Sequence, residues 1–353
     1  MFCIERGGDS WYNLRENAGC GIFDIIRFSI LKKEVKMKTN TASKRRLLAC
    51  AASVFLLLAL LFSSLGAVSI RASAAGNETE ESITESRAVT TSVPATLSPV
   101  SDRSVWKYPS LPISLWGSSV NVSARLINGT VYIPTRAFSE KLGLRVQYNS
   151  STRTLTVSGS GIYITVSDGS YVTYANDRPL FTGANSVIMS DGRMYTPAGT
   201  LMKAFGLRYT RTASGVSVTG TYSPLLHASK FYRSDEVLWL SRIISAESRG
   251  EPLLGQIAVG SVVMNRVASS SYPNTIYGVI FDRRYGVQFS PILDGSIYNT
   301  PTYNCTLAAK ICLEGVRVGE GAMFFLRPEA SNSLWIPASR PYLFSIGHHD
   351  FYA

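Results

Sequence analysis

The segment Ile127-Asn-Gly-Thr-Val-Tyr-Ile-Pro-Thr-Arg-Ala-Phe-Ser-Glu-Lys-Leu-Gly-Leu144 recurs 63 residues downstream as Met189-Ser-Asp-Gly-Arg-Met-Tyr-Thr-Pro-Ala-Gly-Thr-Leu-Met-Lys-Ala-Phe-Gly-Leu207. Two copies of one unit must fold alike and bury equivalent faces, so this repeat restricts the fold more than any other feature of the chain. Gly129 matches Gly192, Tyr132 matches Tyr195, Pro134 matches Pro197, and Gly143-Leu144 matches Gly206-Leu207. Each copy reads as a turn at Asn128-Gly129 or Asp191-Gly192, a short strand, a Pro that opens a short helix and a Gly that closes it. A strand follows: Arg153-Thr-Leu-Thr-Val157 in the first copy, Gly215-Val-Ser-Val-Thr219 in the second. Between the copies, Gly161 to Val166 and Tyr171 to Tyr174 flank Ser167-Asp-Gly-Ser170 as a hairpin.

This α+β module, residues 106–221, resembles the copper amine oxidase N-terminal domain in its Asn-Gly, Tyr-x-Pro and Leu-Gly motifs. It contains no His and no Cys, so no copper site is expected in it. Two uses fit its composition. Trp106, Trp116 and the tyrosines could stack on wall glycan, or they could be ordinary strand and core aromatics in a spacer.

Upstream, Lys44-Arg-Arg46 precedes the uncharged run Leu47 to Ile70, and Ala72-Ser-Ala74 follows as a small-x-small cleavage pattern. Residues 37–76 therefore read as a secretory signal starting at Met37, with 1–36 a non-native upstream extension or a cytoplasmic tail. The apolar run of 24 residues is also long enough to span a bilayer, so a membrane anchor through residues 47–70 is the alternative. Both place the remainder in a secreted or wall-associated, extracytoplasmic position. Residues 77–105, rich in Ser, Thr, Glu and Val without a period, read as a flexible linker.

Of the net charge of +11, residues 75–353 contribute 24 Lys and Arg against 19 Asp and Glu. A mildly basic exported protein is drawn to an anionic wall, and nothing marks a nucleic-acid module. Cys305 and Cys312 are seven apart on a predicted helix, too far for a disulfide, so buried thiols are expected. No metal site or cofactor is expected, since neither Cys-x-x-Cys nor ligand-spaced His occurs. The adjacent His348 and His349 would point to opposite faces of a strand and make poor co-ligands.

Residues 222–353 read as a mainly α domain. Ser234 suits an N-cap, Asp235 and Glu236 suit a first turn, and Val237, Leu240, Ile243 and Ile244 repeat at helical spacing. The stripe continues onto Glu247, before Arg249, Gly250 and Pro252 stop the helix. A carboxyl on an apolar face resists ionisation and can donate a proton to a leaving oxygen, as glycosidic cleavage requires. A helix-end acid bonded to Arg249 or to water is the plainer reading, and spacing alone leaves both open. Helices over Gly255 to Val267 and from Thr300 to near Gly319, and a strand at Ala322 to Leu326, complete the expected elements.

The run Ile244-Ser-Ala-Glu-Ser-Arg-Gly-Glu251, with Gly255 to Arg266, Tyr272 to Ile280, Gln288-Phe-Ser-Pro-Ile-Leu-Asp-Gly295, Trp335-Ile336, Arg340-Pro341 and Ile346-Gly347, resembles the cell wall hydrolase domain of spore cortex-lytic enzymes. The resemblance implies a lysozyme-like, lytic-transglycosylase-like fold, peptidoglycan glycan strands as substrate, spore germination as the setting and Glu247 as the catalytic acid. It also implies supporting roles for Asn265, Arg266 and His349. Gln288, Phe289, Ser290 and Asp294 read as one lip of a groove, and Trp335 as a sugar platform.

A hydrolase by either stereochemical route normally needs two flanking acids, and Glu251, Asp282 and Asp294 are the candidates for the second. A lytic transglycosylase needs one. Two departures from the family stand out: Phe324-Phe325 replaces tyrosines, and the repeated module replaces the usual peptidoglycan-binding domain. The rivals are a two-carboxylate muramidase, and a wall-binding scaffold with an inactive hydrolase domain. A stem-peptide amidase or peptidase lacks the zinc or Cys–His spacing it calls for.

Overall fold

The computed structural model describes residues 91–93, 103–183, 185–330 and 335–353. The expected signal or anchor, residues 37–76, lies outside them, as does most of the linker. Among the described residues no helix is long and apolar enough to cross a membrane.

In chain order the elements are β1 (Thr91–Val93), β2 (Ser110–Leu115), β3 (Ser118–Ile127), β4 (Thr130–Pro134), α1 (Thr135–Lys141), β5 (Arg145–Asn149), β6 (Thr154–Gly159), β7 (Ile162–Ser167), β8 (Val172–Ala175) and β9 (Arg178–Phe181). The second copy supplies β10 (Ile188–Ser190), β11 (Arg193–Pro197), α2 (Ala198–Phe205), β12 (Arg208–Arg211) and β13 (Val216–Thr219). Then come α3 (Ala228–Phe231), α4 (Ser234–Ser248), α5 (Leu253–Ala268), α6 (Ile276–Ile280), α7 (Tyr303–Leu313), β14 (Val316–Val318), β15 (Phe324–Leu326), α8 (Trp335–Ser339), β16 (Tyr342–Ile346) and β17 (His349–Tyr352).

The two copies meet strand to strand. β4 and β11 pair antiparallel, with Tyr132 facing Pro197, Ile133 facing Thr196 and Pro134 facing Tyr195. Matched positions thus exchange across a local two-fold at the Ile133–Thr196 pair. Beside it, the buried Thr135 and Thr196 hydroxyls share a hydrogen bond of 2.8 Å. Each Pro stands at the N-cap of its helix, where a missing N–H costs nothing.

After each helix the chain enters a strand that periodicity did not mark, β5 or β12, and turns back in a hairpin. The second hairpin completes a seven-stranded sheet in the order β10-β11-β4-β3-β2-β13-β12, because β13 pairs parallel with β2. The first joins a five-stranded sheet, β5-β6-β7-β8-β9. One repeat therefore has two destinations.

Gly206 closes α2 at φ +67, and a Cβ there would overlap the Ser223 carbonyl oxygen. Gly206→Ala is expected to destabilise the module by at least about 2 kcal/mol, from left-handed strain plus that overlap. Urea unfolding of the full chain checks it.

In the C-terminal part α4 and α7 pack around α5, whose residues from Leu254 to Met264 are all buried. Gly260 makes this possible, since a Cβ there would strike Cys312 Sγ and the Ile244 side chain. Cys305 and Cys312 are buried free thiols. β15, β17 and β16 form a three-stranded sheet at the cleft end of this bundle, so the domain is less purely helical than expected.

Three boundaries differ from expectation. Arg233, not Ser234, occupies the N-cap of α4, and its guanidinium pairs with Asp235 at 2.9 Å. The third helix stops at Leu313, because Gly315 turns at φ +93 and the β-branched Val316 and Val318 extend as β14. The linker is not structureless throughout: Thr91–Val93 pairs parallel with β14, whose backbone edge is otherwise open on that side.

Residues 82–353 form one unit, and the module and the helical domain share a buried junction. Arg178 of β9 makes a bidentate pair with Glu314 after α7, at 2.8 and 3.0 Å, with both side chains almost fully buried. Lys203 and Tyr232 also reach that carboxylate, at 3.0 and 2.6 Å, and the Arg178 guanidinium lies 3.3 Å over the Phe231 ring. Tyr174 and Phe181 pack against the helical core.

Candidate active site

Glu247 lies in the last turn of α4, one residue before its end. Leu240, Ile243 and Ile244 fix the buried face of that helix and turn the Glu247 side chain toward a cleft of about 1300 Å³. The walls are the end of α5, the loop from Ser270 to Ser290, β15, α8 and the start of β17. Burial, and secondarily the charge of Asp294, push the Glu247 pKa up to about 7. The negative end of α4 acts in the same direction. Against the plainer reading, a solvated acid bonded to Arg249 or to water, burial is the leading cause of the raised Glu247 pKa.

The other carboxylates separate by environment. Asp282 lines the cleft but is held by Arg284, Nε at 3.1 Å and Nη2 at 2.9 Å, and this pairing lowers its pKa. Glu251 points away to the turn between β16 and β17. Burial works to raise its pKa, but the backbone and side-chain hydrogen bonds from His348, each 3.0 Å, outweigh it and the net shift is downward. Asp294 accepts from Ser296, which lowers its pKa and keeps it ionised. A group poised near neutrality therefore shares the cleft with Asp282, whose carboxylate stays charged, while Asp294 acts on it from outside the lining.

The expected groove residues divide. Gln288, Phe289, Ser290, Trp335 and His349 line the cleft with Glu247. Phe289 is a buried floor residue packed near Phe325, with ring centroids 6.4 Å apart. Trp335 is 56% exposed and meets Phe324 edge to face, as a platform for an apolar sugar face requires. Burial lowers the pKa of His349, against the raising charge of Glu251, so the ring is neutral at pH 7.

Two of these residues do not line the cleft. Asn265 donates to the Ala322 carbonyl at 2.9 Å and so tethers α5 to the loop before β15, because the end of α5 turns it toward that loop. Asp294 sits past the cleft lining in the turn before Ser296 and acts on Glu247 through its charge. The expectation that His348 and His349 diverge also fails. His348 is in a turn, not a strand, and both Nδ1 atoms approach Glu251 Oε1, at 3.0 and 3.8 Å.

Sequence reasoning reached Arg266 only through the family resemblance, and it missed Tyr272, Arg284, Tyr285, Phe325 and Arg340 as parts of the cationic and aromatic wall. Arg266 and Arg340 belong to motifs that carry the family resemblance, but nothing in their spacing aims them at the cleft. Phe325, standing where the family often has tyrosine, packs on Phe289, His349 and Phe351, so no hydroxyl is supplied there.

Two parts of the chain are similar to known proteins. Residues 250–352 match the family model described as Cell Wall Hydrolase, a match that begins three residues after Glu247. The chain carries a cell wall hydrolase domain. Residues 115–219 match the model of the copper amine oxidase N-terminal domain. That second domain does not fit copper, for it has no His or Cys, and among the described residues no group of three or more His, Cys, Asp or Glu is placed to hold a metal.

The hydrolase domain is similar to the spore cortex-lytic enzyme of Bacillus cereus, 38% identical over 34% of this chain and 45% of that one. It is similar also to that of Halalkalibacterium halodurans, 35% identical over 34% of this chain and 35% of that one. The chain spans less than half the length of these curated relatives. The solved catalytic domain of the germination-specific lytic transglycosylase SleB from Bacillus anthracis is 38% identical over 35% of this chain and 97% of that chain, with a TM-score of 0.32.

Proposed function

We propose that this chain is an exported peptidoglycan-degrading enzyme that cleaves the bond between N-acetylmuramic acid and N-acetylglucosamine, with Glu247 as its single acid. The observation that carries the reading is the Glu247 carboxyl, facing a sugar-sized cleft with its pKa pushed up to about 7. The protonated carboxyl gives its proton to the glycosidic oxygen as the C1–O bond breaks. The resulting carboxylate then takes the proton of the muramic 6-hydroxyl while that oxygen bonds to C1. A 1,6-anhydro end forms, no water is consumed and the acid is regenerated. This is lytic transglycosylase chemistry on a lysozyme-like domain. The printed names of the relatives support cortex hydrolysis during germination as the setting. The repeated module serves as a wall-facing support.

A two-carboxylate muramidase is the second reading, favoured by one observation. Asp294 stays ionised and its charge reaches Glu247. Asp294→Asn separates the two. If Asp294 only tunes Glu247, its removal lowers the Glu247 pKa, because a negative neighbour no longer opposes ionisation. The high-pH limb of the rate then moves to lower pH with the rate below it kept. A loss of rate at every pH would make Asp294 the second catalytic carboxylate.

The deciding experiment is mass spectrometry of peptidoglycan digested by the chain beside its Glu247→Gln variant. Anhydro-muramic products from the unmodified chain alone support the transglycosylase. Reducing-end products support the muramidase. Tight wall binding with no products would replace both with an inactive scaffold.

A further inference from the structure

Glu251, Gly347 and His349 belong to the motifs that carry the family resemblance, and the mechanism above uses none of them. Glu251 lies three residues past the end of α4, its N–H donating to the Ser248 carbonyl at 3.0 Å. Its side chain is only 7% exposed and meets the turn between β16 and β17. There the His348 backbone N–H donates to Oε2 at 3.0 Å. Gly347 makes room for that oxygen, since a Cβ at its φ of +58 would overlap Oε2. The other oxygen, Oε1, faces two rings, with His348 Nδ1 at 3.0 Å and His349 Nδ1 at 3.8 Å.

His349 lines the cleft with Glu247, from the first position of β17. Its Nδ1 is shut off from solvent and has no hydrogen-bond partner, so Nε2 is the nitrogen that the cleft can reach. Phe325 meets the ring edge to face, with centroids 5.5 Å apart, and restrains its plane. A neutral imidazole carries one proton, and the group facing one nitrogen decides which nitrogen keeps it. A carboxylate oxygen 3.8 Å from a buried Nδ1 attracts an N–H there and repels a lone pair.

We propose that Glu251 is a positioning residue that holds the His349 proton on Nδ1, so that Nε2 presents a lone pair to a hydroxyl or amide N–H of the bound glycan. The inference rests on the peptidoglycan reading above and adds a fixed acceptor that orients the sugar in the Glu247 cleft. Arg266, Arg284 and Arg340 on the same walls can only donate, so the acceptor complements them.

Glu251→Gln separates this role from a merely structural one. The His348 N–H can only donate, so it holds the amide oxygen at the Oε2 position and leaves the NH2 at the Oε1 position, facing both Nδ1 atoms. The clamp on the turn survives, and the His349 proton moves to Nε2. Nitrogen-15 NMR of the histidine-labelled full chain at neutral pH reads the tautomer, with the His349 signals identified by their loss in His349→Gln. The native chain is expected to be protonated on Nδ1, and Glu251→Gln on Nε2. In Glu247→Gln, which spares the ligand, a peptidoglycan tetrasaccharide should shift the Nε2 signal. Adding Glu251→Gln should weaken that binding roughly ten-fold, the worth of one hydrogen bond turned into a donor–donor contact. Loss of the Nε2 shift with the de-N-acetylated compound would put the donor on the acetamido group, and its retention on a hydroxyl; both support the acceptor. Nε2 protonated in the native chain, a tautomer unmoved by Glu251→Gln, or a moved tautomer with affinity unchanged overturns the inference. If Glu251→Gln fails to fold, the native tautomer and the ligand shift in Glu247→Gln decide alone. Cleavage of wall by the native chain alongside any overturning result leaves the glycan-cleaving reading standing. Absence of both binding and cleavage overturns the two together.

Discussion

Replacing Glu247 with glutamine is expected to lower glycan cleavage by roughly a hundred- to ten-thousand-fold, the usual worth of a positioned general acid. The native rate should be high where Glu247 is protonated and fall as pH rises through about 7, the value to which burial raises it. The same variant should be more stable than the native chain, but only on one side of that window. Below the ordinary value of 4.5 the carboxyl is neutral in folded and unfolded chains alike, and the substitution changes little. As pH rises from there to about 7, the unfolded chain ionises freely while the folded site resists, so folding loses stability. At pH 8 the relief from Glu247→Gln amounts to about 2–3 kcal/mol, since each tenfold difference in acidity between the folded and unfolded carboxyl is worth about 1.36 kcal/mol, with some discount for partial exposure. Thermal unfolding at pH 4 and pH 8 reads the difference. Equal midpoints for the two proteins at pH 8 would mean that Glu247 is an ordinary solvated acid, and the mechanism would lose its acid.

Glu314→Ala is expected to cost about 3–5 kcal/mol, the typical result of stranding a buried charge. Glu314 accepts from Arg178, Lys203 and Tyr232 at once. Lys203 is 36% exposed and can return to water, whereas Arg178 is 3% exposed and cannot. Replacing the pair together, Arg178→Met with Glu314→Leu, should recover most of the loss, because a well-packed apolar pair has no desolvation to offset. Burial alone would raise the Glu314 pKa, but Arg178, Lys203 and Tyr232 hold it below the ordinary 4.5. The junction is therefore strongest above that value and weakens as pH falls below it. Urea unfolding followed by near-ultraviolet signals of both domains measures these effects. A single-domain transition with the other unchanged would show that the junction carries no coupling.

This junction bears on how the module serves the enzyme. A wall-binding domain on a loose tether samples many orientations of its partner. Here the five-stranded sheet is fixed to the helical core by a buried bidentate pair and by Tyr174 and Phe181. Whatever surface the module offers to a wall is held at a set angle to the cleft.

The linear chain determined what local rules determine. The Gly and Pro positions of the repeat specified two turn–strand–helix units, because Gly adopts positive φ in the turns and helix ends without strain and Pro suits a helix start that needs no N–H donor. The spacing from Leu240 to Ile244 placed Glu247 at the end of an amphipathic helix, because side chains three and four apart share a face. The tertiary structure alone decided the rest. It sent two equivalent hairpins to different sheets, since pairing depends on which strand edge is free. It brought Arg266, Phe324 and Arg340, distant in sequence, onto one wall. It turned Asn265 to a structural hydrogen bond and joined Arg178 to Glu314 across 136 residues. Charge pairing and desolvation act through space, and periodicity along the chain carries no record of them.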